Sequence, residues 1–286
     1  GATEEDKKRW KAEAEFLKAY YHFRVLEMYG PIPIVDDRMP QSTLPEDFPG
    51  RSHFDYVIDY IVNQKLNEET INALPDVGKA DDWGRATKSA ALALRGRALL
   101  YAASPLWNGK FPYPDWKNTN YETPGYGYEL VSRQEDRGKW DRALQANLEA
   151  LRVAESTGER KLVDMDNLPN TMRDVPIPYI AGVDTSTVEG KEFAKRVLML
   201  RTITASNEDD GNKETIWGVF LQDSRAWMTF AQCPPRIICY NEANNSWADG
   251  WGAINPTLYS VEHFYTKEGK LPNYDSNFPQ GDARFE

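Results

Sequence analysis

The sequence predicts a mainly α-helical protein: a scaffold of tetratricopeptide-like helical pairs with long irregular aromatic-rich loops and minor β structure. Three observations lead to this fold class. The first thirty residues have helical apolar spacing, two later helices share a degenerate repeat, and an aromatic-rich segment separates those two helices. We predict a helical-repeat scaffold over residues 1–160 with an insertion at 105–138. Residues 161–286 are predicted to form an irregular ligand-binding region packed on that scaffold within one structural domain.

The first helix is predicted over residues 6–29, because its apolar residues recur three or four positions apart. The stripe comprises Trp10, Ala14, Leu17, Tyr21, Val25 and Met28, with Phe16, Tyr20 and Phe23 on a neighbouring line. Gly30 and Pro31 are residues typical of a helix end. A helix this apolar must be covered on more than one side, and we expect Trp10 to be a core residue.

Two further helices are predicted over residues 52–73 and from Trp83 to Ser104, and the second of them is rich in Ala and Gly. A fourth runs from Trp140 to about Thr157, and Trp83 and Trp140 are expected in the core. The inward residues of this fourth helix are predicted to be Ala143, Leu144, Leu148, Leu151 and Ala154.

The third and fourth helices share a pattern with a period of 57 residues, since residues 82–86 align with 139–143. A tetratricopeptide unit has about 34 residues, so this period requires an insertion between the units. Residues 105–138 supply it, and their seven Trp, Tyr and Phe rings predict an ordered loop over the helices. Beyond Gly158 we predict a helix within 190–204, a strand at 215–221 and a helix at 256–265.

Composition excludes several classes of protein. The 286 residues contain 34 Lys and Arg against 44 Asp and Glu, a net charge of −10, and no basic cluster that could hold nucleic acid or an anionic membrane. No apolar run approaches the length of a membrane span. Catalytic motifs such as Gly-x-Ser-x-Gly, a phosphate loop or a dinucleotide fingerprint are absent from the sequence, so no catalytic residue and no cofactor is predicted.

Metal binding is not predicted, because His22, His53 and His263 lie far apart without the spacing of metal ligands. Cys233 and Cys239 could close a small disulfide loop in an exported protein, and free thiols are at least as consistent with the sequence.

Four motifs resemble the SusD/RagB family of Bacteroidetes surface lipoproteins. Residues 12–21 followed by 28–33 are similar to that family's first helix and its exit, and residues 86–108 to its third helix and exit. Residues 251–257 resemble the family's Gly-rich turn, and residues 282–285 its Asp-Pro-Arg-Phe motif, with Ala283 in place of Pro. The resemblance extends over about residues 6–286.

The resemblance implies a tetratricopeptide-like scaffold tethered to the outer membrane by a lipid on an N-terminal Cys. It also implies a non-catalytic protein that binds oligosaccharides or polysaccharides at the cell surface and delivers them to a TonB-dependent SusC-like transporter. Members of the family are usually much longer than 286 residues, so we expect this chain to be a fragment or truncated form that lacks the lipid anchor.

A glycan site needs flat aromatic platforms for the C–H face of a sugar and nearby polar groups for its hydroxyls. The richest such segment is 227–251, and we predict ligand contacts there from Trp227, Tyr240, Asn241, Asn245, Trp247 and Trp251. A second candidate is the insertion around Trp107, Asn108, Tyr113 and Trp116. The alternative for each is a loop whose aromatic rings pack beneath it.

Two other functions fit the sequence. Acidic helical proteins with exposed Trp also include glycoside hydrolases, which would release reducing sugars from a bound glycan. A helical-repeat scaffold for protein partners is the third hypothesis, and it predicts that Trp227, Trp247 and Trp251 are fully buried.

Overall fold

The structure is a computed structural model that describes residues 1–78, 82, 84–164, 175–180, 182–205, 212–218, 238–241, 246–249, 256–266 and 269–271. The chain separates into two compact units, Gly1–Val219 and Phe220–Glu286. Helices dominate both the element order and the core, which confirms the predicted mainly α fold class. The domain boundaries drawn from the sequence stay a prediction.

The first unit contains six α-helices in its described part, one of them continued by a π-helical segment. They are α1 (Glu4–Tyr29), α2 (Phe54–Asp59, continued as a π-helix over Tyr60–Lys65), α3 (Glu68–Ala73), α4 (Lys88–Ala103), α5 (Gly138–Ser156) and α6 (Val188–Ala205). The described part of the second unit contains the antiparallel strands β1 (Ile238–Asn241) and β2 (Ser246–Asp249) and the short helix α7 (Leu258–Glu262). None of the described helices is long and apolar enough to cross a membrane.

Helix α1 buries the neighbouring line of the predicted apolar face, which includes Phe16 and Phe23, and exposes the main stripe. A capping box between Thr3 and Asp6 begins the helix. The buried line is Ala12, Phe16, Ala19, Phe23 and Leu26, whereas Trp10, Leu17, Tyr21, Val25 and Met28 are exposed. The prediction that Trp10 is a core residue is therefore wrong, since its exposed fraction is 49%. Both lines have helical spacing, and the buried one alternates small and large side chains that let neighbouring helices approach.

The region predicted as one helix over 52–73 is two helices. Its first part changes to π-helical hydrogen bonding at Tyr60 and ends at Leu66. Asn67 then caps α3, because its side chain accepts a hydrogen bond from the backbone N–H of Thr70 at 2.8 Å. The Asn cap explains the break, which apolar spacing alone did not predict.

Helices α4 and α5 pack closely through their small residues. At Gly96 of α4 an added Cβ would lie 2.8 Å from the side-chain oxygen of Asn147 on α5. The amide of Asn147 donates to the carbonyl of Gly96 at 3.1 Å and to that of Ala143 at 2.8 Å. Helix α5 buries Ala143, Ala146, Ala150 and Ala154.

The predicted inward position of the α5 leucines is wrong. Leu144, Leu148 and Leu151 are 55%, 50% and 51% exposed, and Trp140, predicted in the core, is 44% exposed. The close approach to Gly96 explains this, because only alanines fit between the two backbones and the leucines then face outward. Trp83, also predicted in the core, lies outside the described residues.

The later predictions have mixed outcomes. The predicted helix within 190–204 is present as α6, and the predicted helix at 256–265 is shorter and corresponds to α7. The described residues of the predicted strand at 215–221, which are 215–218, do not form a strand. There the ring of Trp217 packs edge-on against Phe16 at 5.2 Å, and its N–H donates to the carbonyl of Gly84 at 2.9 Å.

An ionic cluster holds the segment that leaves α1. The carboxylate of Asp36 lies 2.7 Å from the Nζ atom of Lys65 and 3.0 Å from that of Lys18, and it accepts a hydrogen bond from the Tyr60 hydroxyl at 2.8 Å. Glu15 of α1 lies 2.9 Å from the same Lys65. The Lys65 hydrogen bond holds the pKa of Asp36 well below its ordinary value.

The burial pattern of α1 predicts unequal losses of stability for two aromatic substitutions. Phe16→Ala removes a fully buried ring and should lower the free energy of unfolding by about 3 to 5 kcal/mol. Trp10→Ala removes a half-exposed ring from the same helix and should cost less than about 1 kcal/mol. Urea unfolding followed by far-UV circular dichroism measures both, and equal losses would contradict the assigned buried face.

The Asp36 cluster predicts an acid-dependent part of the stability. A carboxyl whose pKa is lowered by folding stabilises the folded state fully above its unfolded pKa, about 4, and the stabilisation is lost as the pH falls toward the lowered folded value. The free energy of unfolding should therefore fall less steeply below about pH 4 in Asp36→Asn than in the parent chain. Urea midpoints measured through this acidic range test it. The exposed neighbour variant Asp37→Asn is the control, and parent-like acid dependence in Asp36→Asn would show that the cluster is not coupled to folding.

Candidate functional site

Four aromatic rings stack in series from the core to the surface of the insertion. Phe54 lies 4.3 Å from Trp107, Trp107 lies 5.5 Å from Phe111, and Phe111 lies 4.9 Å from Trp116, as distances between ring centres. The angles between neighbouring ring planes are 6°, 23° and 18°. We call these four rings the aromatic ladder. Phe54 and Trp107 are buried, whereas Phe111 and Trp116 are half-buried.

The end of α1 holds the ladder from one side. Gly30 has a φ of 67°, and a Cβ at this position would lie 2.8 Å from the Trp107 ring and 3.5 Å from the Trp116 ring. The guanidinium of Arg51 lies 6.0 Å from the centre of the Trp116 ring and donates to the carbonyl of Pro31 at 2.6 Å. The outer ring of the ladder is thus positioned by groups that belong to the scaffold.

Asn108 joins the two ends of the insertion. Its side-chain N–H donates to the carbonyls of Ala103, at 3.4 Å, and Asp136, at 3.0 Å, and its side-chain oxygen accepts from the backbone N–H of Asp136 at 2.8 Å. Near the tip, the guanidinium of Arg133 donates to the carbonyls of Tyr113 at 2.9 Å and Trp116 at 3.3 Å. These bonds order the insertion, as predicted for so aromatic a segment.

The tip of the insertion forms a concave apolar surface. Phe111, Tyr113, Pro114, Asp115 and Trp116 line a shallow pocket of about 530 Å³. Tyr113 is 68% exposed, and its ring packs at an angle against Phe111 at 5.8 Å. We call this pocket the aromatic surface. Flat rings beside one carboxylate are groups that can contact both the C–H face and a hydroxyl of a sugar.

The charged groups behind the aromatic surface are paired. Lys117 lies 2.8 Å from Glu129, and its hydrogen bond lowers the pKa of that carboxyl. At the start of α2, the capping residue His53 stacks on Tyr126 at 4.0 Å. Burial lowers the pKa of His53 and raises that of Tyr126, so both rings are neutral at neutral pH.

Two residues predicted from the insertion to contact ligand are buried. Trp107 is 7% exposed and Asn108 is 1% exposed, so as placed neither presents its side chain to a ligand. The indole N–H of Trp107 is buried without a hydrogen-bond acceptor in the described part of the chain. Trp116 is half-buried and lines the aromatic surface, together with Phe111, which sequence reasoning did not single out.

The segment 227–251 is described only in part. Tyr240 and Asn241 belong to β1 and Trp247 to β2, and the Cα atoms of Tyr240 and Trp247 are partners across the two strands. Trp227, Asn245 and Trp251 lie outside the described residues. Ligand contact by any of these six residues stays a prediction.

The described residues contain no group of three or more His, Cys, Asp and Glu side chains that could hold a metal ion. Cys239 lies in β1, whereas Cys233 lies outside the described residues. Pairing of the two cysteines is therefore still open.

Comparisons with known proteins agree with the resemblance in the sequence. Residues 2–100 match the model of a SusD-like family described as starch-binding and associating with the outer membrane. The protein BT4246 is 44% identical in sequence, with a TM-score of 0.80 over 97% of this chain and 45% of its own. A SusD-like protein from Bacteroides fragilis NCTC 9343 has a TM-score of 0.55 at 20% identity, over 97% of this chain and 39% of its own. No match was found among curated proteins.

The family model and the 44% identity to BT4246 over 97% of this chain make the chain a member of the SusD-like family. The Bacteroides fragilis protein supports the fold alone, because its identity to this chain is only 20%. The chain spans less than half the length of both solved relatives.

Proposed function

We propose that this protein binds glycans at the cell surface without cleaving them and passes them to a TonB-dependent SusC-like transporter. The observation that carries the proposal is the aromatic surface, a concave set of rings that are partly exposed and held by the scaffold. Family membership supports a glycan as the ligand, because the family is described as starch-binding and associating with the outer membrane. A lipid anchor on the whole protein belongs to the same proposal.

The ladder suits the aromatic surface to a sugar. Sugar rings bind on flat aromatic faces, and a face that is already fixed loses little conformational freedom when the ligand arrives. Trp116 is fixed by Phe111, Arg51 and the carbonyl bond from Arg133. The exposed Tyr113 can then close on the sugar from the side.

Exposure also bears on the alternative of a protein-interaction scaffold. That hypothesis predicts buried aromatic loops, and the exposed fraction of Tyr113 supports the glycan-binding proposal instead. The side chains of Trp227, Trp247 and Trp251, which would separate the two hypotheses more directly, are not among those described. The hydrolase alternative is tested by reducing-sugar release from any glycan that binds, and release would overturn the non-catalytic proposal.

A binding experiment tests the proposal itself. Affinity electrophoresis of the 286-residue chain in gels containing starch or another neutral polysaccharide should retard its migration. A chain that migrates freely in every gel would count against glycan binding by these residues.

Substitutions at the aromatic surface should separate binding from stability. Trp116→Ala should weaken glycan affinity about 30-fold, as loss of a ring anchor does at recognition surfaces, with a small change in melting temperature because the ring is half-buried. Trp107→Ala should instead lower the free energy of unfolding by about 3 to 5 kcal/mol, because that ring is buried. Isothermal titration and thermal melts on each variant measure both.

Trp10→Ala is the matched control, since it removes an exposed indole outside the insertion. If Trp116→Ala binds glycan as tightly as the control does, the aromatic surface is not the glycan-binding site. Parallel variants Trp247→Ala and Trp251→Ala then test the segment 227–251 as the site.

A further inference from the structure

A groove lies between three helical elements of the first unit. The π-continued α2, α4 and α5 enclose about 840 Å³, a volume within the usual range of small-molecule sites. Ile58, Leu99 and Ala102 contribute apolar walls, and Tyr56 and Tyr126 contribute aromatic rings. We call it the interhelical groove.

Arg95 of α4 is an unusual residue in this groove. Its Nε atom is buried and has no hydrogen-bond acceptor in the part of the chain that the structure describes. A buried donor on a charged group that lacks an acceptor carries a desolvation cost, so such groups are rare unless something else completes them. Arg95 also lines the groove and makes no ion pair with a described residue, so its terminal N–H groups can donate to a ligand oxygen there.

Two ion pairs also line the groove. Lys139 pairs with Asp55 at 2.6 Å, and Arg142 with Asp136 at 3.4 Å. Three further carboxylates line the groove without an ion-pair partner among the described residues: Asp59, Asp141 and Glu149. The amides of Asn63 and Gln145 complete the polar lining.

This lining selects a class of ligand. Five carboxylates and three cationic groups give the groove an excess of negative charge, which disfavours an anion. A cationic ligand would leave Arg95 without an acceptor. A neutral polyhydroxylated ligand suits both the donors and the acceptors of the groove. Each of its hydroxyls can accept a hydrogen bond from the guanidinium or an amide and donate one to a carboxylate.

We propose that the interhelical groove is a second sugar-binding site, distinct from the aromatic surface, that takes a neutral sugar residue with a hydroxyl oxygen on Arg95. The proposal rests on the proposed function for the class of ligand and on the lining of the groove for its location. The rings of Tyr56 and Tyr126, whose centres are 6.4 Å apart at a near-perpendicular angle, offer an apolar contact to the same sugar.

The test is isothermal titration of the 286-residue chain with maltose and a panel of other neutral disaccharides, which are short enough to probe each site separately. Arg95→Met, in the background Trp116→Ala, should weaken binding of the best ligand at least about 10-fold, the effect of losing a hydrogen bond to a charged donor. Gln145→Ala, on the facing helix α5, is a second variant that removes an amide from an exposed position.

Arg97→Met is the matched control, because Arg97 lies two residues away on α4, does not line the interhelical groove and has a 70% exposed side chain. Its affinity should equal that of the background. Thermal melts identify any variant that fails to fold, and the Gln145 variant then decides the outcome.

The outcomes separate the two proposals. Disaccharide binding that Arg95→Met and Gln145→Ala both leave unchanged overturns the groove site while the aromatic surface stands. If the parent chain binds no neutral disaccharide in the panel, the groove site is overturned, and affinity electrophoresis in polysaccharide gels decides separately whether the proposed function stands. Preference of the groove for an acidic disaccharide such as digalacturonate would overturn its assignment to neutral sugars.

Discussion

The contact between Phe54 and Trp107 links the helical core to everything that the insertion presents. Phe54 is the first residue of α2, and Trp107 lies just beyond the end of α4, so their parallel rings fix the start of the insertion against the scaffold. Phe111 and Trp116 stack outward from this buried pair of rings. The next residue of α2, Asp55, accepts hydrogen bonds from Ser132 and Lys139, so the same helix start also holds the return of the insertion into α5. Two adjacent residues at the start of α2, Phe54 and Asp55, thus hold the two edges of the 34-residue insertion, 105–138.

Local signals in the sequence predicted where helices lie better than which way they face. The stop at Gly30 and the helices that became α4 and α5 were visible because capping and apolar spacing act within a few residues. Helices α1 and α5 each carry two apolar lines of the same period: in α1 the buried line alternates alanines with large side chains, and in α5 it consists of alanines. Which line is buried depends on the partner helix, which is distant in the sequence. For example, Gly96 and Asn147, which are in contact, are 51 positions apart in the chain.

The candidate sites, too, could be predicted from the sequence only in part. The many aromatic residues of the insertion predicted an ordered loop with rings available to a ligand. Trp107 and Asn108 are nevertheless buried, because Trp107 stacks between other rings and Asn108 joins the ends of the loop. Composition cannot decide between a ring that supports a surface and one that forms it. The sequence did not indicate Arg95 as a site residue. An arginine in an alanine-rich helix looks like an ordinary solvent-facing residue until the facing helices are placed.

Gly30 serves the scaffold and the ladder at once, because it ends α1 with a positive φ and leaves room for two indole rings. Any Cβ there would disturb both the helix end and the ring stack, so even the smallest side chain is unfavourable at this position. Tyr113, Pro114 and Asp115 lie at the other extreme, at the exposed tip with no part in the helical core. Single substitutions at the tip can therefore change which ligands the surface binds without disturbing the helix end and the buried rings beneath it.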